Sequence, residues 1–125
     1  MIRGIRGATT IENNNKQEIL AATERLLRDM ILENKIEADD VAQIVFSVTD
    51  DIDAAFPAAA ARQIDGWAFV PVISMREIPV PGSLPMCIRV MMTVNTSTKQ
   101  EEIQHIYQGG AVVLRPDLST VKGNN

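Results

Sequence analysis

Nine consecutive residues, Cys87-Ile88-Arg89-Val90-Met91-Met92-Thr93-Val94-Asn95, carry one charge among apolar and β-branched neighbours, and this run constrains the chain more than any other. It reads as a strand. Successive side chains of a strand point to opposite faces, so Ile88, Val90, Met92 and Val94 share one face while Cys87, Arg89, Met91 and Thr93 share the other. The first face is wholly apolar and has to be covered. On the second, a guanidinium loses hydration among semi-apolar neighbours and needs an anion or several acceptors in return. Two readings of Arg89 stay open on this pattern: a structural ion pair with one of the 16 acidic residues, or a contact to an anionic ligand.

The rest of the chain supplies elements for this strand to pack on. Ile2 to Ile11 is β-branched and punctuated by Gly4 and Gly7, which predicts a strand bent or bulged at its glycines. Asn15, with Glu18 three residues on, can cap a helix whose Ile19, Thr23, Leu26, Leu27, Met30 and Ile31 recur at helical spacing up to about Asn34. Val41 to Val48 is a nearly continuous apolar run between acidic pairs and reads as a buried strand. Phe56-Pro57 introduces an alanine run that predicts a brief helix closed by Gly66. Trp67 to Met75 is a further strand candidate, demoted in part by Pro71. Pro79, Pro81, Gly82 and Pro85 enforce a loop, Lys99 to Ile106 a short polar helix or turn, and Ala111 to Arg115 resumes strand character. Strands interleaved with helices point to one α/β (α+β, mixed-sheet) domain over residues 1–115, with 116–125 as a tail.

Several function classes drop out. A net charge of -4 with no Lys/Arg block argues against nucleic-acid binding. No apolar run approaches the ~20 residues of a membrane span, and Arg3 and Arg6 interrupt the segment where a signal peptide's apolar stretch would lie. One cysteine, Cys87, allows no intrachain disulfide and suits a reducing compartment, so a cytoplasmic location is expected. That cysteine and the single His105 show no ligand spacing for zinc, and there is no phosphate loop, dinucleotide fingerprint or serine-nucleophile elbow. No metal or cofactor is expected. His105 reads as a surface residue.

What remains is cationic. Arg3, Arg6, Arg89 and Arg115 lie within or at the ends of apolar stretches rather than on polar helix faces. Arg6 sits between Gly4 and Gly7, where backbone can approach a ligand and a guanidinium fork suits a carboxylate; on the residues alone a solvated edge-strand arginine is the better reading. Glu77, after Val72-Ile73-Ser74-Met75-Arg76, can accept a hydrogen bond from a ligand hydroxyl or pair with an arginine. Tyr107, beside Gly109-Gly110, can reach a carboxylate or simply pack. Arginines with a glutamate and a tyrosine suit a small anion.

Ile2-Arg3-Gly4-Ile5-Arg6-Gly7-Ala8-Thr9-Thr10, Phe56-Pro57-Ala58, Gly66-Trp67, Val70-Pro71-Val72, the run Cys87 to Val94 and Val112-Val113-Leu114-Arg115-Pro116-Asp117-Leu118-Ser119 together resemble, in order and over most of the chain, the AroH-type chorismate mutases. The resemblance implies isomerisation of chorismate to prephenate in aromatic amino-acid biosynthesis. It also implies a homotrimeric pseudo α/β barrel, helices outside and sheets inside, whose three sites lie between subunits. The Val90, Met92 and Val94 face, which needs cover, is a second motive for expecting a trimer. By match of motif, Arg89 would contact the substrate's ether oxygen and a carboxylate, Arg6 and Tyr107 the enolpyruvyl side, and Glu77 the ring hydroxyl. Phe56, Ala58, Ile73, Ser74 and Leu114 would line the walls, with Met75, Arg76 and Arg115 beside them.

Two positions depart from the family's pattern, which has lysine where this chain has Ala59 and cysteine where it has Ser74. Arg62 can supply part of the positive potential lost at Ala59. Two rival readings share the architecture or the site: a trimeric imine or enamine deaminase, marked by ammonia release, and a non-catalytic sensor of an aromatic-pathway metabolite, marked by tight binding without turnover.

Overall fold

The nine-residue run is the middle strand of the sheet, as its apolar character requires. The structure, a computed structural model, describes residues 1–114. In chain order the elements are β1 (Ile2–Thr10), α1 (Lys16–Asn34), β2 (Val41–Val48), α2 (Ala59–Arg62), β3 (Val72–Arg76), β4 (Cys87–Asn95) and β5 (Ile106–Tyr107), with 3₁₀ turns at Ala38–Asp40, Gln100–Glu102 and Gly109–Leu114. The sheet runs β3-β2-β4-β1-β5. β4 pairs antiparallel with both β1 and β2, whereas β3 and β5 lie parallel at the edges, so the mixed α/β class expected from the sequence holds.

α1 begins as its sequence dictates. The Asn15 side chain accepts the Glu18 backbone N–H at 2.8 Å, satisfying one of the helix's free donors. The Glu18 carboxylate reaches further back and accepts the N–H groups of Glu12 and Asn13, which ties the β1–α1 turn to the helix start. Lys35 closes the other end in a left-handed conformation, its N–H returning to Leu32. Leu26, Leu27 and Met30 then pack on Ile5, Ile44, Phe46, Val90, Met92 and Val94 of the sheet. Gly7 is the close-approach point: a Cβ there would stand 2.5 Å from Met30 Sδ and 3.2 Å from Leu26 Cδ1.

This packing corrects four expectations. The face of Val90, Met92 and Val94 is covered by the chain's own helix and needs no neighbour. The face left uncovered is the other one, carrying Arg89 and Met91. β1 is regular along its whole length against β4, and the register shift falls in β2 between Val41 and Gln43, since Gly7 serves helix packing rather than a bulge. Trp67 to Pro71 is turn, with Trp67 and Val70 buried in the core, and only Val72–Arg76 pairs as strand. Finally, Ala111 to Leu114 is a 3₁₀ turn; strand character ends at Tyr107 because Gly109 takes φ 56° and turns the backbone over the end of β1.

Candidate functional site

Register decides which side chains meet. Residues directly opposite one another in antiparallel strands share a face, and here Arg6 faces Met91, Ala8 faces Arg89, Ser47 faces Arg89 and Val45 faces Met91. Three adjacent strands therefore present Arg6, Arg89, Ser47, Val45 and Met91 together on the uncovered face. β5, parallel to β1, adds Tyr107 opposite Ala8, and the 3₁₀ turn after it adds Leu114. The result is a hollow of about 300 Å³ floored by strands and walled by two arginines, a tyrosine and apolar side chains.

Each cationic or polar group in this hollow is held differently. The Arg89 Nε lies 3.4 Å from Glu77 Oε2, with the two side chains 47% and 28% exposed. Glu77 follows β3, and its N–H donates to Val48 O at 2.8 Å, so one further bond carries the β2–β3 ladder onto it. The Arg6 guanidinium makes no hydrogen bond or ion pair among the described residues, whereas its backbone N–H donates to His105 Nδ1 at 2.9 Å. His105 is thus half-buried and bound to a site residue rather than a bystander on the surface. That contact requires Nδ1 to be the unprotonated ring nitrogen. The Gln108 N–H donates to Ala8 O at 2.9 Å, and the Gly110 N–H to Thr10 Oγ1 at 2.8 Å, fastening β5 and the turn that carries Leu114 to β1. At Gly109 a Cβ would come within 2.8 Å of that same Thr10 Oγ1, which accounts for the glycine pair.

The other sequence-selected residues lie elsewhere. Phe56, Ser74, Met75 and Arg76 border a second hollow of about 570 Å³ that shares no lining residue with the first. Lys16 and Ala59 line it as well. Arg76 pairs with Asp50 at 3.3 Å, and the buried Ser74 Oγ has no hydrogen-bond partner among the described residues. Ala58 is 5% exposed and belongs to the core, and Arg62 is exposed at the end of α2; Ile73, 56% exposed, stands beside Val45 on the uncovered face without lining the first hollow. Arg115 lies outside the described residues. Ser47, Val45 and Met91 were not singled out from sequence. The alternation of β4 already placed Met91 beside Arg89, but Ser47 becomes visible only once β2 is set in register against β4.

The first hollow is lined by cations and apolar side chains rather than by an activated nucleophile. Burial pushes the Cys87 thiol up from its ordinary value, against the smaller opposing pull of Arg89, so the chain's single thiol is a poor source of thiolate. Among the described residues no group of three or more His, Cys, Asp or Glu could hold a metal ion, and no helix is long and apolar enough to cross a membrane. Two guanidiniums with a tyrosine hydroxyl, set on strands around apolar side chains, are the groups that suit a small organic anion.

Comparison with known proteins narrows that class to one family. The family model for chorismate mutase type I matches residues 2–118, and the chain belongs to that family. It is 52% identical over 122 residues to the chorismate mutase AroH of Bacillus subtilis, covering 98% of this chain and 96% of that protein. To the chorismate mutase AroH of Thermus thermophilus it is 49% identical over 123 residues, covering 98% of this chain and all of the other. Among solved structures a chorismate mutase from Clostridium thermocellum superposes with a TM-score of 0.86 at 52% identity, covering 88% of this chain and 97% of that one.

Proposed function

We propose that this chain isomerises chorismate to prephenate, with the hollow bounded by Arg6, Arg89, Tyr107 and Leu114 holding the substrate. The observation that carries the reading is the pairing of two arginines and a tyrosine on one uncovered sheet face. The rearrangement is pericyclic and uses one substrate: a C–O bond breaks while a C–C bond forms, no proton moves and no covalent enzyme intermediate is needed. A site of cations and apolar walls without a nucleophile suits it.

Two contributions lower the barrier. The site selects the folded conformer, with the enolpyruvyl chain over the ring, by gripping the two carboxylates; this is catalysis by positioning. As the C–O bond breaks, negative charge grows on the ether oxygen, and a cation placed there stabilises the transition state more than the substrate. Arg89 is assigned that role, Arg6 and Tyr107 the side-chain carboxylate, and Glu77 the ring hydroxyl. A millionfold acceleration requires about 8 kcal/mol, more than one arginine contributes, so conformer selection has to supply much of the rest.

The complete site is assigned to an interface between subunits of a homotrimer with a barrel-like sheet core. Support comes from the separation of the two hollows: Phe56, Ser74 and Arg76 line one and Arg6, Arg89 and Tyr107 the other within one chain, and a neighbouring copy is the way to bring both sets onto one ligand. The reaction needs no cofactor and belongs in the cytoplasm with the rest of aromatic amino-acid biosynthesis. Purified protein should consume chorismate and form prephenate without added metal or nucleotide, and light scattering should give about three times 13.7 kDa. Absence of turnover refutes the reaction; a monodisperse, fully active monomer refutes the shared site.

A further inference from the structure

Arg89 faces a difficulty in the unliganded protein, because the group that would serve the substrate is already beside a carboxylate, Glu77. If that glutamate follows the guanidinium as it turns, the two stay paired and the arginine's charge is partly spent before the substrate arrives. Something must hold Glu77 back. Its Oε1 accepts the backbone N–H of Ile78 at 3.0 Å, a local contact that moves with the residue itself. Its Oε2, the oxygen nearest Arg89, accepts the Ser47 Oγ hydroxyl at 3.1 Å.

Ser47 is well placed for this. It lies on β2 directly opposite Arg89 and beside Met75 of β3, so it stands between the strand carrying the arginine and the strand leading to the glutamate. It is half-buried, borders the first hollow, and its neighbour Phe46 is fully buried on the opposite face, which fixes the backbone from which the hydroxyl points. A serine hydroxyl donates one hydrogen bond, and to a carboxylate such a bond is charge-assisted.

We propose that Ser47 is a positioning residue: it holds the Glu77 carboxylate in place so that Arg89 turns to the substrate without the glutamate following. The proposal rests on the reaction assigned above and concerns how that site is kept available. Without the hydroxyl, Glu77 stays with Arg89 and competes with the anionic ligand for it.

The test is a double-mutant cycle on the full chain, read in chorismate turnover and in calorimetric affinity for prephenate. Ser47→Ala should lower kcat/KM about tenfold and weaken prephenate binding at least threefold, while Ser47→Thr, which keeps the hydroxyl, should stay within threefold of the parent in both. In a Glu77→Gln background, where no negative charge competes for Arg89, Ser47→Ala should cost less than twofold. Three results overturn the proposal: Ser47→Ala within twofold of the parent, a tenfold loss that persists in Glu77→Gln, or a loss that Ser47→Thr shares together with a lowered melting temperature. A parent that lacks turnover but binds prephenate would sink the assigned reaction instead, and the affinity arm would still judge Ser47.

Discussion

Replacing Arg89 should separate a small structural effect from a large catalytic one, and the geometry sets both sizes. Its ion pair with Glu77 is at 3.4 Å between side chains 47% and 28% exposed. Partly exposed pairs of this kind contribute at most about 1 kcal/mol after solvent screening and side-chain entropy are counted. Arg89→Ala should therefore fold, with a urea midpoint close to that of the parent. Removing one preorganised group that stabilises developing negative charge costs about 3 kcal/mol or more, a loss of at least roughly 150-fold in kcat/KM. Arg89→Lys keeps the charge but loses the planar fork that can hold the ether oxygen and a carboxylate together, so it should recover only part of that loss. Chorismate consumption followed by absorbance, alongside urea unfolding at a fixed protein concentration, reads both quantities. If Arg89→Ala folds normally and retains activity within about threefold, under 1 kcal/mol, the assigned mechanism is wrong. If it fails to fold, the Glu77 pair carries far more than an exposed ion pair should, and the reading of Arg89 as a ligand group fails with it.

Gly7→Ala should destabilise the fold by about 1 kcal/mol in urea unfolding, since its Cβ would stand 2.5 Å from Met30 Sδ and the fully buried Met30 side chain would have to shift within a filled core; an unchanged midpoint would contradict the packing described. His105→Ala removes the acceptor for the Arg6 N–H and should raise KM about fivefold, the scale of one net hydrogen bond, while His105→Asn, which offers an oxygen there, should stay near the parent. The N–H groups of Asn13 and then Glu12 hold the Glu18 carboxyl below its ordinary 4.5, so its contribution to stability is complete above about pH 4.5 and is lost as pH falls through that value and on toward the folded one. Urea midpoints measured from pH 6 down to pH 3 should accordingly fall less steeply in Glu18→Gln than in the parent.

Local signals were legible where the chain decides its structure within a few residues. Asn15 and Glu18 announced the start of α1, and the run from Cys87 to Asn95 gave β4 with its two faces correctly divided. What could not be read was which face would be covered, because that depends on where α1 lies, and the small Gly7 rather than any β4 residue admits it there. Ala111 to Leu114 looks like strand by its β-branched residues, yet Gly109 and the bond from Gly110 to Thr10 turn it into 3₁₀ backbone. Arg6, Arg89 and Tyr107 were selected from sequence and do come together; Ser47 and the role of His105 were invisible because both depend on partners 30 and 99 residues away.

The pairing of β1 with β4 also sets an order of events in time. Ile2 stands opposite Asn95 and Thr10 opposite Cys87, so the strand made first waits for one of the last before it gains a partner on that side. At ribosomal rates of roughly 5–20 residues per second that wait lasts roughly 4–15 s, during which α1 has no complete sheet on which to lay Leu26 and Met30. Pairings so distant along the chain close slowly even once both strands exist, because the entropy of the long loop is lost before any contact rewards it. Arg6 and Arg89 therefore become neighbours only after β4 has been made, and a nascent chain lacking β4 has neither the central strand of its sheet nor the Arg89 side of the proposed site.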